Sequence, residues 1–257
     1  MTAQEWFERG LNAAAPDEEV RFYSKAIRLR PDYADAFYNR GISRKAKGDL
    51  EGALEDYSEA IRLKPDFANA FDNRGTVRQA LGDLDGALKD HTEAIRLKPT
   101  DVAITFNNRG IVRKGKGDLE GALRDYNEAI RLKPDYADAF NNRGIARKDK
   151  GDLEGALKDY GEAIRLKPDY AEAFYSRGGA RRLKGDLEGA LQDYNEAIRL
   201  KPDYAYPFYG RALIWQARSN PTAAIADFQK YLDLGVDARD GFKEKAIEMI
   251  RDLQKNL

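Results

Sequence analysis

Asparagine recurs along the chain at intervals of 34 or 35 residues. The four residues in this row are Asn39, Asn73, Asn108 and Asn142. Because an amide both donates and accepts hydrogen bonds, a row of amides on one surface could hold the backbone of an extended polypeptide, whatever its side chains. An alternative of equal weight is that these amides cap or bridge neighbouring helices, since buried amides also serve as structural hydrogen-bonding groups.

The chain offers little else for catalysis or metal binding. It has no cysteine and one histidine, His91, which occupies the repeat position that Tyr57 and Tyr126 hold elsewhere. We therefore interpret His91 as a packed substitute for an aromatic side chain and not as a general base. This inventory excludes most metal sites and catalytic triads, so we predict a protein that is not an enzyme and binds no cofactor.

These residues are carried by a repeat of 34 residues, each closed by a proline. The prolines are Pro31, Pro65, Pro99, Pro134, Pro168 and Pro202. A period of this length is typical of a stacked repeat array. We predict one array over residues 1–257, with repeats at approximately 1–33, 34–67, 68–102, 103–136, 137–170, 171–204 and 205–236, and a capping helix at 238–257.

Each repeat is predicted to form two amphipathic helices. We number the repeat from Ala34 to Phe67 as positions one to 34. Gly48 and Asp49 separate the two helices, because glycine tolerates the left-handed turn that ends a helix and aspartate can cap the next one. Gly41, at position eight, is predicted to let the two helices approach closely. The sequence alone does not explain the glycine that recurs at position nineteen.

This pattern resembles the tetratricopeptide repeat (TPR), in which a bulky aromatic, a glycine, two alanines, a second aromatic and a final proline hold the same relative positions. In one repeat these residues are Phe37, Gly41, Ala53, Ala60, Tyr57 and Pro65. The resemblance covers residues 3–236. It implies an all-α fold, a right-handed superhelix whose first helices line a concave groove for extended peptides. The arginine-rich repeat is similar to TPR arrays frequent in bacteria.

Arginine occurs where the TPR family usually has leucine at position seven and an aromatic residue at position eleven. Position seven is Arg9, Arg40, Arg74, Arg109, Arg143, Arg177 and Arg211, and position eleven is Arg44, Arg78, Arg113, Arg147 and Arg181, then Trp215. Aspartate recurs at position 23, from Asp56 to Asp227. Because buried arginine needs a partner, we predict Arg–Asp ion pairs between the two helices of each repeat. The alternative is a basic stripe for acidic partners.

A face of the first helix differs from one repeat to the next. Position five includes Tyr38, Asp72, Asn107, Asn141, Tyr175 and Tyr209, and position twelve includes Lys45, Lys114, Lys148 and Arg182. Positions two, five, nine and twelve share one side of a helix, so this face is the predicted groove lining. Its tyrosines and cations suit a ligand of aromatic and acidic character. The alternative is a solvated face that varies without a ligand.

Charge and composition restrict the partners. The 44 basic and 44 acidic residues give a formal net charge of zero, so we expect neither nucleic acid nor membrane as a partner. The absence of cysteine and of a signal peptide pattern leads us to expect a cytoplasmic protein. TPR receptors for chaperone tails have lysine at positions two and five, but no lysine occurs at position five here and position two holds Asp35, Asn69, Ile104, Asp138 and Glu172. That role is therefore disfavoured.

The sequence therefore predicts a non-enzymatic scaffold that binds an extended peptide or protein segment in the groove, as a monomer or weak homo-oligomer. Two alternatives stay open. Near-identical repeats could assemble into a homo-oligomeric scaffold, and the chain could be the regulatory module of a larger complex.

Overall fold

The computed structural model describes residues 1–235 and 241–255, which form fifteen α-helices and no strand. The all-α repeat fold is as predicted. The chain divides into two compact units, Met1–Pro134 and Asp135–Leu257, and the boundary follows a repeat-ending proline.

The first unit contains four helix pairs. Its first helices are α1 (Ala3–Leu11), α3 (Ala34–Ala46), α5 (Ala68–Ala80) and α7 (Val102–Gly115), and its second helices are α2 (Pro16–Leu29), α4 (Leu50–Leu63), α6 (Leu84–Leu97) and α8 (Leu119–Leu132). Within this unit, each second helix packs against its own first helix, and α2, α4 and α6 also pack against the first helix of the next pair.

The second unit contains three pairs and one more helix. The pairs are α9 (Ala137–Asp149) with α10 (Leu153–Leu166), α11 (Ala171–Leu183) with α12 (Leu187–Leu200), and α13 (Ala205–Ala217) with α14 (Pro221–Asp233), and they are followed by α15 (Phe242–Lys255). The helices pack in sequence order, and α15 packs on α14.

The turn inside each pair follows the predicted chemistry. Gly48 has a φ of +83°, in the left-handed region that glycine adopts without strain. Asp49 then caps α4, where its side chain accepts a hydrogen bond from the backbone N–H of Gly52. In the last pair Asn220 caps α14, and Pro221 occupies the first helical position, where its missing N–H leaves no helical hydrogen bond unmade.

The glycine at position eight lies under the aromatic ring of its partner helix. A Cβ atom on Gly41 would lie 2.8 Å from Cε1 of Tyr57, and Tyr57 is fully buried. Cβ atoms in proteins do not lie this close to a ring carbon. The Tyr57 ring therefore excludes any residue larger than glycine at this position. The two helices approach closely because of this glycine, as the sequence predicts.

The glycine at position nineteen has a separate cause, which the sequence did not reveal. A Cβ atom on Gly52 would lie 2.4 Å from Oδ2 of the capping Asp49. The Gly52 carbonyl also accepts a hydrogen bond from Nη1 of Arg44, at 3.0 Å. Position nineteen therefore lies between the cap of its own helix and the arginine of the preceding helix, and a side chain at Gly52 would displace the capping carboxylate.

The junction before α7 is longer by one residue. Lys98 adopts a left-handed conformation with φ +59°, and Asp101 caps α7. Thr100 is held by Asn69, whose amide donates to Oγ1 at 2.7 Å and whose Oδ1 accepts from the Thr100 N–H at 2.9 Å. The additional residue is thus accommodated by a side-chain bridge to α5.

Helix α15 covers the last pair. Ala246 and Ile250 are buried in one cluster with residues of α13 and α14, and Leu253 packs at its edge. The capping helix was predicted over 238–257. Residues 238–240 and 256–257, which include Leu257 of the predicted apolar row, lie outside the described residues.

Candidate functional site

The predicted Arg–Asp ion pairs are present between first and second helices. Nε and Nη2 of Arg109 donate to the two carboxylate oxygens of Asp125 at 3.0 and 2.8 Å, and Nη1 of Arg113 lies 2.9 Å from Oδ2. The same arrangement recurs around Asp56, Asp90, Asp159 and Asp193. In the last pair, Nε1 of Trp215 replaces the second arginine as donor to Asp227. These guanidinium groups are paired with buried carboxylates, which favours structural ion pairs over a basic stripe.

The asparagine row is half-buried and partly engaged within the protein. Nδ2 of Asn39 donates to the carbonyl oxygen of Asp35 in its own helix, at 2.8 Å. Asn73 bridges to the preceding repeat, because Oδ1 accepts from Nζ of Lys45 at 3.1 Å and Nδ2 donates to the Tyr38 hydroxyl at 3.0 Å. The full row is Asn39, Asn73, Asn108 and Asn142. The first two amides therefore hold neighbouring groups of the protein, in line with the bridging alternative.

Position five is packed more deeply than a groove lining requires. The buried members are Asn107, Asn141 and Tyr209, with 4, 5 and 8% of their surface exposed, and Tyr38, Asp72 and Tyr175 are half-buried. Tyr38 packs between two aromatic rings. The ring centroid of Tyr38 lies 6.0 Å from that of Tyr57 and 4.6 Å from that of Phe67. The amide of Asn141 makes a hydrogen bond with the Tyr170 hydroxyl. The accessible part of position five is thus smaller than predicted.

The cations at position twelve are half-buried. Burial lowers the pKa of Lys45, against the opposing effect of the nearby Asp72 carboxylate. Lys114 and Lys148 occupy the same position of other repeats, and Arg182 lies beside Tyr194. This position therefore brings positive charge to the first helices in both units.

His91 is a buried side chain, as its repeat position predicts. It is fully buried, and Nδ1 lies 2.7 Å from Oδ1 of Asp72. A Cβ atom on Gly75 would lie 2.9 Å from the imidazole ring, so His91 fills the space that tyrosine fills in other pairs. Among the described residues no cluster of three or more His, Cys, Asp or Glu side chains could hold a metal ion.

We call the side chains at positions two, five, six, nine and twelve of the first helices the first-helix face. In the first unit this face contains a cleft of about 280 Å³, which we call the acidic cleft. It lies where Val102 begins α7, at the repeat position that an aromatic residue such as Phe67 holds just before α5. Its polar lining is Asn69, Asp72, Asn73, Thr100 and Asp101.

The first-helix face of the second unit contains a cleft of about 340 Å³, which we call the basic cleft. It lies between α9, α11, α13 and α15. Three cations and several aromatic rings border it, among them Lys148, Arg182, Lys245, Tyr175, Tyr209 and Phe242. Burial raises the pKa of Tyr175 to about 12, so this phenol is neutral at physiological pH.

Sequence reasoning missed the part of the basic cleft that lies outside the repeat pattern. Phe242 and Lys245 belong to α15, and the sequence assigned this helix only a capping role. Gly179 was visible as a glycine at position nine, but nothing in the sequence showed that it borders an open space. The one indication in the sequence was the charge of Lys245, which lies on a helix outside the repeat.

The chain belongs to the tetratricopeptide repeat family. The TPR repeat model matches residues 43–82, 110–149, 146–181 and 178–217, which together cover more than half of the chain. Family membership supports a protein-interaction scaffold, since TPR proteins are generally non-enzymatic interaction modules. A comparison with curated proteins gave no significant match.

Solved structures of TPR proteins share this fold. A TPR protein from Parabacteroides merdae is 18% identical with a TM-score of 0.77, and the alignment covers 98% of each chain. YrrB, described as a TPR protein with an unusual peptide-binding site, is 24% identical with a TM-score of 0.58, over 74% of this chain and 97% of YrrB. MamA is 23% identical with a TM-score of 0.57, over 67% of this chain and 93% of its own. Identities this low show the fold alone.

Within residues 1–235 and 241–255, every helix is too short or too polar to span a lipid bilayer.

Proposed function

We propose that this protein is a scaffold that binds an extended polypeptide segment along the first-helix face, without catalysing a reaction. The observation that carries this proposal is that the constant and the variable positions of the repeat have different roles. Positions that are nearly the same in every copy are used by the fold, and positions that differ between copies line the clefts.

The nearly constant positions are used inside the helix pairs. Arginine at positions seven and eleven pairs with aspartate at position 23. Glycine at position eight lies under an aromatic ring, and glycine at position nineteen lies against the helix cap. Each of these residues would be needed whether or not the protein had a ligand.

The variable positions have no such role in common. The acidic cleft is bordered by Asn69 and Asp72 at the variable positions two and five, and also by Asn73 of the asparagine row. The basic cleft is bordered by residues at positions five, nine and twelve, such as Tyr175 and Gly179. Variation at accessible positions of an otherwise constant repeat is expected where different segments of a ligand are recognised.

The predicted groove residues remain part of this proposal to different degrees. The half-buried Asn108, Asn142, Lys114 and Lys148 are the ones we propose for direct contact. Asn107 and Asn141 are buried, so we assign them a supporting role. A partner of acidic or aromatic character, a cytoplasmic location and a bacterial source remain our proposals, supported by the residue pattern alone.

A linear peptide library displayed on phage tests the proposal with the full chain as the target. Selected peptides are measured against Lys114→Glu and Lys148→Glu, which reverse charge on the first-helix face of each unit. The matched controls are Arg124→Glu and Lys158→Glu, exposed on second helices at one and the same repeat position. We expect at least one face variant to weaken each selected peptide by about tenfold and the controls to change affinity by less than about twofold. Failure to select any peptide, or equal effects of face and control variants, would contradict the proposal.

A further inference from the structure

The basic cleft differs from the rest of the first-helix face in its charge. Lys148 comes from α9, Arg182 from α11 and Lys245 from α15, and no carboxylate is among the described residues that line the cleft. Three like charges around one concave space repel one another, and an anionic ligand group would relieve that repulsion. The chain as a whole is neutral, so this concentration of positive charge is local.

Arg182 is hydrogen-bonded to Tyr194 but keeps a buried donor without a partner. Its Nε atom is buried and has no hydrogen-bond partner, whereas its neighbour Arg181 contacts the carboxylates of Asp193 and Asp186. Within the described part of the chain, no carboxylate pairs with Arg182. A buried N–H donor without an acceptor is unfavourable, and the forked geometry of guanidinium matches a carboxylate. Arg182 is therefore the group in this cleft most suited to receive an acidic group.

The open space of the cleft depends on a glycine that the helix does not require. Gly179 is at position nine, where Ile42, Ile111 and Ile145 are found in other repeats. A Cβ atom on Gly179 would meet nothing closer than the Tyr194 hydroxyl, at 3.9 Å. Glycine disfavours helix formation relative to other residues, and here packing does not demand it. Its effect is to leave room between the cations and the aromatic rings.

The aromatic rings form the other wall of the cleft. The centroid of Tyr209 lies 5.0 Å from that of Phe242, so α13 and α15 present one continuous aromatic surface. Such a surface favours a flat or apolar side chain, and the cations opposite favour a carboxylate. A cleft of about 340 Å³ is within the usual size range of sites that bind small groups.

We propose that the basic cleft binds the side-chain carboxylate of an aspartate or glutamate together with an adjacent aromatic side chain, within an extended polypeptide. The proposal rests on the proposed function and specifies the ligand of one part of the first-helix face. Arg182 binds the carboxylate, Lys148 and Lys245 neutralise it, and the aromatic side chain packs against Tyr209 and Phe242. We commit to a side-chain carboxylate because the described lining has no asparagine or glutamine to hold the backbone at a chain end.

The experiment uses the peptides selected on the full chain and two variants of the cleft. Arg182→Gln removes the charge but keeps a polar side chain. Gly179→Ile fills the cleft with the residue that other repeats carry at this position. Thermal unfolding checks that both variants fold, and Lys158→Glu is the control for charge. We expect peptides enriched in an acidic residue next to an aromatic one, about tenfold weaker binding to Arg182→Gln, and loss of binding to Gly179→Ile, while Lys158→Glu changes affinity by less than about twofold.

Changes in the peptide identify the source of the anion. Replacing the acidic residue by its amide should weaken binding about as much as Arg182→Gln does, and amidation of the peptide's C-terminus should have no effect. A dominant effect of C-terminal amidation would overturn the proposal in favour of a chain end, and a preference for a phosphorylated side chain would overturn it in favour of phosphate. Selected peptides that are weakened by Lys114→Glu but by neither cleft variant would overturn this proposal and leave the proposed function standing. Failure to select any peptide would overturn both.

Discussion

Replacing Asp125 by asparagine removes the charge that two arginines share between α7 and α8. The side chain of Asp125 is 3% exposed, and those of Arg109 and Arg113 are 13 and 23% exposed. Breaking a buried ion pair from one side costs about 3–5 kcal/mol, because the remaining charge stays buried without a counter-charge. The two guanidinium groups retain some contact with water, so we expect the lower end of that range, about 3 kcal/mol.

A second ion pair of the same repeat provides the matched control. Arg131 and Glu128 are paired on the exposed surface of α8 at helical spacing, and the hydrogen bond from Arg131 lowers the pKa of Glu128. Exposed pairs of this kind contribute about 0.3–0.5 kcal/mol. Glu128→Gln therefore removes the same charge from the same helix, with a small expected effect.

Native-state hydrogen exchange of the α7 and α8 amides is the appropriate assay, because a repeat array need not unfold in one step. The opening free energy should fall by about 3 kcal/mol in Asp125→Asn and by no more than about 0.5 kcal/mol in Glu128→Gln. Equal effects of the two substitutions would refute the reasoning.

The double variant Arg109→Leu/Arg113→Leu should also destabilise the α7–α8 helix pair, since it leaves the Asp125 carboxylate buried alone. Unchanged stability of that variant would restore the interpretation of the arginine rows as a ligand surface.

Three further predictions concern single positions of the repeat. His91→Tyr should lower the free energy of unfolding by about 1–3 kcal/mol, because Asp72 loses its buried partner. The double variant His91→Tyr/Asp72→Asn should recover most of that loss in denaturant titrations. Gly52→Ala should lower the free energy of unfolding by about 1 kcal/mol or more, because it displaces the helix cap. Gly161→Ala should raise it by up to about 1 kcal/mol in the same measurement, because an added Cβ atom there meets nothing within 4 Å. The contribution of Tyr175 to stability should be constant below pH 10 and decrease above it. Burial raises the pKa of Tyr175 from 10.0 to about 12, so between these values the unfolded chain loses this proton first.

Each of these predictions has a contrary result. A full additive loss in the double variant at positions 72 and 91 would show that the two residues do not depend on each other. Equal stability changes at Gly52 and Gly161 would remove the steric account of position nineteen. Ionisation of all tyrosines near pH 10, followed by ultraviolet absorbance, would contradict the alkaline prediction.

The helix-pair fold could be predicted from the sequence because each structural cause is local and repeated. The turn at Gly48 and Asp49 needs only a left-handed glycine and a capping side chain, and both are recognisable in the residue order. The contact of Gly41 with Tyr57 joins two residues of one repeat, and its recurrence in other copies makes the spacing evident. Ion pairs between arginine and aspartate follow from the rule that buried charges need partners.

The remaining features depend on the three-dimensional positions of side chains, which the repeat pattern does not specify. Gly52 is required because the carboxylate of Asp49 lies directly over it, and this depends on the conformation of the cap. Asn107 was predicted to line the groove but is buried, with 4% of its surface exposed. Lys245 completes the basic cleft from a helix that is not part of the repeat.

Near-identical repeats here do not present near-identical surfaces. The acidic cleft of the first unit contains Asp72 and Asp101, and the basic cleft of the second contains Lys148 and Arg182, although both lie on the first-helix face. A ligand predicted from the average composition of the repeats would therefore fit neither cleft. Because the fold already uses the constant positions, a few substitutions at the variable ones suffice to reverse the local charge. Recognition by this protein should accordingly be measured cleft by cleft, with charge-reversed variants of each cleft serving as controls for the other.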